Sequence, residues 1–408
     1  MNLFITAIPL FDTQMLVRGY RLNYQDGRRL LGVSDGFAAL DGALRNPGLD
    51  VIAQVGIEPF AGAAPLFVEV SKFLLLTDFP SEARVSPKQL ICVLAQDIPM
   101  EAMYLDKCKQ LREKGCAIAL KDMPYSEGTA PLFALADYAV FDLRSRDSLA
   151  HYRAIRNHVR LRPIFLNLDS PEAFDTIKNI RDAWFQGKFY NRPLLKSTDK
   201  PAPLKVNALR LLRLAGDEDF DLADASRIVE RDPALSVELL KFMNSPAIAV
   251  RGKVSSIRHA VALLGQKETA KWIMVATSRY LGDDKPSEFT RLSLLRAKFA
   301  ENLAAPFSLG LQAPSLFLTG LFSLLDVILD KPMERAVMEI SVNTQIRDAL
   351  VSRAGPLAGV LELILCYELA DWQEVMYSLV RNSIDPDLVA QAYVDALVWY
   401  KDLLAGID

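Results

Sequence analysis

The chain has 408 residues, of which 51% are hydrophobic and 24% are charged, and its formal net charge is −3. These values are typical of a folded chain with room for two domains, and they exclude a disordered protein. The four cysteines form no C-x-x-C pair and no signal peptide is apparent, so the sequence predicts a cytoplasmic protein with reduced thiols. Apolar runs at 316–329 and 357–369 are too short to span a bilayer, which predicts no membrane segment.

The first 190 residues alternate short apolar runs with helical periodicity, a pattern typical of βα units around a parallel sheet. Strands are predicted at residues 3–8, 66–70, 90–94, 117–120, 138–142 and 163–168, and helices at 100–113 and 171–181 among others. Strands that are apolar on both faces must be covered by helices. A closed barrel and an open doubly wound sheet both satisfy this condition, and periodicity leaves both open.

Particular segments of this half resemble the EAL domain in their order along the chain. They are residues 9–12, 17–20, 67–70, 118–123, 136–142 and 185–187. The resemblance covers about residues 1–195 and implies a TIM-like barrel that hydrolyses cyclic di-GMP with two divalent cations. The predicted fold class is therefore α/β, a degenerate EAL-like barrel, followed by an all-α part.

The chain departs from the EAL pattern at most of the positions that would hold metal. Arg21, Val93, Gln96 and Lys121 stand where the resemblance implies acidic ligands, Val140 replaces a lysine, and the late glutamates align near residues 166 and 169. Two-metal hydrolysis needs several anionic oxygens around both cations. The sequence therefore predicts no catalytic residue, no metal, no cofactor and no enzyme. The polar positions left at the barrel mouth are the candidate binding residues Arg21, Glu69, Lys121, Asp122 and Gln186.

Residues 196–203 contain two prolines and no apolar period, and they are predicted to link a domain at 1–195 to a helical domain at 204–408. Beyond them every segment has helical periodicity. The segment 231–265 predicts a helical hairpin: Asp232 caps the first helix and Pro233 occupies its first position. Leu239 belongs to its buried stripe, and the helix stops at Asn244 and Ser245.

The second helix of this hairpin is predicted to end at Gly265. Together these motifs resemble the HDOD domain, which is all-helical, associated with bacterial signalling, and related to the HD phosphohydrolases without their metal ligands. None of the three histidines, His151, His158 and His259, is followed by aspartate, so the His-Asp metal pair of those enzymes is absent from the sequence.

The predicted function is that of a non-catalytic bacterial signal-transduction protein that binds other signalling proteins. The EAL-like half would be a scaffold or regulator of the HDOD half. The alternative is a metal-independent receptor that binds cyclic di-GMP without cutting it. Residues 251–300 hold ten Lys/Arg and four Asp/Glu, while 301–408 hold six and fifteen. This contrast favours pairing within the chain or a solvated surface over nucleic-acid binding. A homo-oligomer is left open.

Overall fold

The computed structural model describes residues 3–26, 46–82, 85–156, 160–168, 170–187, 189, 210–217, 219–230, 239, 242–243, 248, 254, 256–281, 287–329, 331–340 and 342–405. The chain divides into two compact units. The first comprises Met1–Tyr190 with Cys366–Ala390, and the second comprises Asn191–Leu365 with Gln391–Asp408. The sequence analysis placed Cys366–Ala390 in the C-terminal domain, whereas the structure groups this segment with the N-terminal one. The predicted linker, 196–203, lies outside the described residues.

The first unit contains a closed barrel of eight strands, joined in chain order. β1 is antiparallel to both of its neighbours, β2 and β8, and all the other pairs are parallel. This closure decides between the two alternatives and confirms the TIM-like barrel. The strands are β1 Leu3–Phe11, β2 Val17–Asp26, β3 Leu66–Val70, β4 Leu90–Leu94, β5 Ala117–Lys121, β6 Tyr138–Asp142, β7 Arg162–Leu168 and β8 Trp184–Gly187.

Two of these strands were not predicted. β2 alternates polar and apolar residues and so contains no continuous apolar run of the kind by which the other strands were predicted, and β8 has four residues, too few for a periodic signal. The helices of this unit are α1 Pro47–Val55, α2 Glu58–Ala61, α3 Phe79–Glu82, α4 Ala102–Glu113, α5 Ala130–Phe133, α6 Ser148–Ile155 and α7 Pro171–Ile177, with 3₁₀ turns at Leu74–Leu76 and Pro87–Gln89.

Apolar side chains fill the interior of the barrel. Alternate residues of each strand point inward, as the two-residue period of a strand requires. The aromatic rings of Phe67, Tyr138 and Trp184 meet there, with centroids 5.2 Å to 6.0 Å apart. The polar positions that this core leaves lie at the strand ends. The buried members of the cluster are Leu10, Phe67, Ile91, Val93, Ala119, Val140, Ile164, Leu166 and Trp184.

The second unit is helical in its described residues, which confirms the predicted all-α part. Residues 210–215 are helical, and the longer elements are α8 Leu222–Glu230, α9 Ile257–Leu281, α10 Ser287–Asn302, α11 Ala313–Leu321, α12 Leu325–Leu329, α13 Met333–Ile340 and α14 Thr344–Arg347, followed by a π turn at Asp348–Ser352. Three further helices, α15 Pro356–Glu368, α16 Trp372–Asn382 and α17 Pro386–Ala405, contribute to the first unit wholly or in part.

Only part of the predicted hairpin can be located. Leu239 is fully buried, and Gly265 has φ 70° and ψ 175°, a break inside α9 where the helix end was predicted. Asp232, Pro233, Asn244 and Ser245 lie outside the described residues. Glu301 joins α10 to α9, because its carboxylate contacts Lys271 Nζ at 2.6 Å and Lys298 Nζ at 2.9 Å.

One stretch of this unit, Gly310–Val327, is long and apolar enough to cross a membrane by length and composition, and 56% of it is buried inside the fold. A core helix of a water-soluble domain passes the same test. The apolar run considered from the sequence began at residue 316 and therefore left out residues 310–315.

Candidate binding site at the barrel mouth

The carboxyl ends of the parallel strands form the mouth of the barrel, where the fold collects polar side chains. Glu69 is the next-to-last residue of β3 and Lys121 is the last of β5, while Arg21 lies on β2. Arg21 Nη2 is 2.9 Å and Lys121 Nζ 2.7 Å from the same oxygen, Oε1 of Glu69. Three of the five predicted mouth residues therefore form one ion cluster, called here the mouth triad.

The β3 end is held by α1. Asn46 is buried and caps this helix, since its Oδ1 accepts hydrogen bonds from the N–H groups of Gly48 and Leu49 at 3.1 and 3.2 Å. Its Nδ2 donates to the carbonyl oxygen of Glu69 at 3.2 Å. The helix cap thus fixes the backbone that carries the shared carboxylate.

The mouth triad carries net positive charge at neutral pH. Burial raises the pKa of Glu69, but the charges of Arg21 and Lys121 and their hydrogen bonds outweigh this effect and lower the pKa from 4.5 to about 2. Glu69 is therefore ionised and neutralises one of the two cations. Its side chain is 48% exposed, against 14% for Arg21 and 25% for Lys121, so the cluster is open to a ligand from solvent.

Asp122 is near this cluster in sequence but belongs to a separate network. Its φ is 47°, and its carboxylate accepts from the N–H of Asp142 at 3.2 and 3.3 Å. The Ser148 hydroxyl lies 2.7 Å from Asp122 Oδ1 and 2.6 Å from the carbonyl oxygen of Asp142. Gln96 donates its side-chain N–H to the carbonyl oxygen of Asp122. The Asp142 N–H and the Ser148 hydroxyl bind the carboxylate within the fold, so Asp122 orders the ends of β5 and β6.

Gln186 and Asn167 continue the polar lining towards β8. Asn167 has φ 61°; its Nδ2 donates to Asp142 Oδ1 at 2.6 Å, and its N–H donates to Gln186 Oε1 at 3.3 Å. Gln186 is buried. Sequence reasoning missed Asn167 and Ser148, and it quoted Asp142 only as part of a motif. The signal that could have found Asn167 is a polar residue at the end of the apolar strand β7.

A cavity of about 540 Å³ opens at this end of the barrel. The barrel contributes Gln25, Arg144, Asn167, Gln186 and Gly187 to the walls of this cavity. The segment Cys366–Ala390, called here the C-terminal segment, contributes residues 369–373. Both parts belong to the same compact unit. The volume lies within the range of about 300–1,000 Å³ that is usual for small-molecule sites.

Aromatic contacts hold the C-terminal segment on the β1–β2 hairpin. The Trp372 ring stacks on Phe4 with centroids 5.6 Å apart and meets Tyr367 edge-on at 5.2 Å. Trp372 Nε1 donates to Asn23 Oδ1 at 3.0 Å, and the N–H of Ile5 donates to the Tyr367 hydroxyl at 3.2 Å. Sequence reasoning assigned these aromatic residues no role at the barrel.

The mouth does not fit the two-cation centre that the EAL resemblance implies. Val93, Val140 and Leu166, at three of the implied polar positions, are packed in the barrel core. At the open side, two cationic groups already hold the Glu69 carboxylate. Across the described ranges no group of three or more His, Cys, Asp or Glu side chains could hold a metal, and residue 169 lies outside them.

The comparisons with known proteins bear on both halves. A family model described as the HDOD domain matches residues 202–352. The chain contains an HDOD domain. With the closed barrel before it, this confirms the predicted architecture of a TIM-like barrel joined to an HDOD domain.

Two relatives match nearly the whole chain. Uncharacterized protein YuxH of Bacillus subtilis is 27% identical over 419 residues, which cover 99% of each chain. Cyclic di-GMP phosphodiesterase CdgJ of Vibrio cholerae is 24% identical over 404 residues, which cover 98% of this chain and 93% of CdgJ.

Among solved structures, the EAL enzyme Bd1971 with cAMP and cyclic di-GMP covers 46% of this chain and 60% of its own, at 13% identity and TM-score 0.37. The PaMucR phosphodiesterase in complex with cyclic di-GMP covers 46% and 94%, at 16% identity and TM-score 0.37. Scores this low add nothing to the fold described above.

The prediction that the chain is not an enzyme is wrong, because a relative that matches over almost its full length is named a phosphodiesterase. The prediction rested on two absences, the acidic ligands missing from the EAL pattern and the His-Asp pair missing from the chain.

Proposed function

We propose that this chain is a cyclic di-GMP signalling protein that binds the dinucleotide at the barrel mouth, with Arg21 and Lys121 contacting a phosphodiester group. The observation that carries the proposal is the mouth triad, in which two cations share one carboxylate oxygen and leave a net positive charge. Charge-assisted hydrogen bonds from Arg and Lys to phosphate are among the stronger ones in proteins. The whole-length similarity to CdgJ supports cyclic di-GMP as the ligand.

The recognition chemistry needs no bound cation. A phosphodiester carries one negative charge per phosphate, and a phosphate oxygen can accept from the guanidinium and the ammonium in the way that Glu69 Oε1 does. Glu69 then competes with the ligand for the same donors. Removing its charge while keeping its size, as in Glu69→Gln, should therefore tighten binding, because the charge of the cluster rises by one unit.

Isothermal titration of the full chain with cyclic di-GMP tests the proposal, in buffer with EDTA and again with Mg²⁺ or Mn²⁺. Ion-exchange chromatography of the same samples measures any linear product. Arg21→Ala and Lys121→Ala should each weaken binding about tenfold or more, a change of about 1.4 kcal/mol. Arg18→Ala is the matched control, since Arg18 is on the same strand but pairs with Asp12 and is 46% exposed.

Two results would contradict the proposal. One is an absence of binding by the wild-type chain in every buffer. The other is an equal loss of affinity in the Arg18 control, which would show that the effect is one of overall charge and not of the mouth triad.

We also propose that the HDOD half passes the signal to other signalling proteins, with the barrel half as its regulator. The uneven charge of residues 251–300 and 301–408 supports an electrostatically steered contact, which salt should weaken. Crosslinking of the full chain in a bacterial lysate, with and without cyclic di-GMP, tests it: ligand-independent capture would contradict regulation by the barrel. Cytoplasmic localisation and the absence of a nucleic-acid partner stay predictions.

A further inference from the structure

Two side chains of opposite charge line the mouth cavity and, among the described residues, pair with no other group. Asp371 is the N-terminal cap residue of α16, yet its carboxylate makes no capping hydrogen bond. In the part of the chain that the structure describes, neither this carboxylate nor the Arg144 guanidinium has a hydrogen bond or an ion pair. Both residues line the cavity of about 540 Å³. A free carboxylate and a free guanidinium in one cavity can bind a ligand that presents both donors and acceptors.

The backbone holds these two groups in place from separate parts of the fold. Asp371 directly precedes Trp372, whose ring stacks on Phe4 and whose Nε1 donates to Asn23. The Asp371 N–H donates to the carbonyl oxygen of Cys366 at 2.9 Å. Arg144 follows β6, and its N–H donates to Asp142 Oδ1 at 3.1 Å. The backbone that carries each of these two groups is thus anchored within the fold.

The hydrogen-bonding edges of guanine match this pair. Arginine donates to the O6 and N7 acceptors of guanine, and an aspartate carboxylate accepts from its N1–H and 2-amino donors. Adenine presents an amino donor in place of O6 and an acceptor at N1, so both contacts would become unfavourable. Gln373 and Gln25 line the same cavity and can donate or accept beside them.

We propose that Asp371 and Arg144 form a guanine-binding subsite that makes the barrel mouth select cyclic di-GMP over cyclic di-AMP. The inference rests on the proposed function, since the mouth triad would contact the phosphodiester of the same ligand. Its new element is the role of the C-terminal segment: a residue beyond the HDOD match determines which base the barrel accepts.

The test compares the affinities of the full chain for cyclic di-GMP and cyclic di-AMP. The wild type should prefer the guanine ligand at least tenfold. Asp371→Asn keeps the shape of the side chain but removes the charge, and Arg144→Ala removes the guanidinium. Each should lower the affinity for cyclic di-GMP about tenfold and should not lower that for cyclic di-AMP, so the preference is lost.

Glu374→Gln is the matched control. Glu374 is exposed, lies three residues after Asp371 in the first turn of α16 and does not line the cavity, and its substitution removes the same charge. The thermal transition of each variant checks that the unit still folds. If the wild type binds neither dinucleotide, the proposed function fails and the inference with it. If cyclic di-GMP binding depends on Arg21 but the base preference survives Asp371→Asn, or Glu374→Gln abolishes it equally, the subsite alone is refuted.

Discussion

Substituting Tyr367 by phenylalanine should destabilise the barrel unit by removing one buried hydrogen bond. Tyr367 and Ile5 are both fully buried, and the Ile5 N–H donates to the Tyr367 hydroxyl at 3.2 Å. Ile5 pairs with β2 on one side, whereas β8 reaches β1 only at Phe11. The hydroxyl therefore takes the place of a strand partner on the other side, and without it the described residues offer this buried N–H no acceptor on that side.

The size of the destabilisation follows from the ring contacts that phenylalanine keeps. The ring remains between Phe4 and Trp372, at centroid distances of 5.8 and 5.2 Å, so the loss isolates the hydroxyl. Leaving a buried donor unsatisfied costs about 1–3 kcal/mol of stability. A hydrogen bond of 3.2 Å is long, so we expect a loss in the lower part of this range, about 1–2 kcal/mol. For a unit of this size that corresponds to a fall of roughly 2–8 °C in its melting temperature.

Differential scanning calorimetry of the full chain measures the transition of each unit. Tyr377→Phe is the control, because Tyr377 lies on α16 in the same segment and is 66% exposed. It should change the melting temperature by less than about 2 °C, since surface substitutions usually stay within about 0.5 kcal/mol. An unchanged transition in Tyr367→Phe, or an equal change in both variants, would refute the contact between the C-terminal segment and β1.

Three further predictions concern other parts of the chain. The pKa of Glu69 is about 2 in the fold against 4.5 as its ordinary value, so its contribution to stability is complete above pH 4.5 and is lost as the pH falls towards 2. Because this side chain is 48% exposed, screening reduces the contribution to about 1 kcal/mol, and urea unfolding of Glu69→Gln should lack that pH dependence. Gly187→Ala should lower the free energy of unfolding by about 1–3 kcal/mol, since the added Cβ would lie 2.2 Å from the Leu168 carbonyl oxygen. Gly128→Ala is the control: the nearest atom there is 3.8 Å away, and this substitution should leave the unfolding free energy unchanged in the same titration. Leu239→Asp should remove the calorimetric transition of the helical unit, because an unpaired carboxylate would be buried; Leu263→Asp, at a position 48% exposed, should leave that transition in place.

The local pattern of apolar and polar residues was sufficient to predict much of this fold. The strands β3 to β7 were predicted within a few residues, because apolar runs of this length between turn residues have few other stable conformations. The five candidate mouth residues came from the resemblance to the EAL pattern, and Arg21, Glu69 and Lys121 do meet. The HDOD match likewise depended on short motifs that are contiguous in the chain.

Tertiary structure alone decided the use of Asp122 as a bound structural carboxylate and the return of Cys366–Ala390 to the barrel. The hydrogen bond between Ile5 and Tyr367 joins residues 362 positions apart. Helical and strand periods describe which face of an element is buried and not what covers it. The partner of a buried face is set by the packing of the whole chain, so the composition of the mouth cavity became visible only when the two distant segments lay side by side.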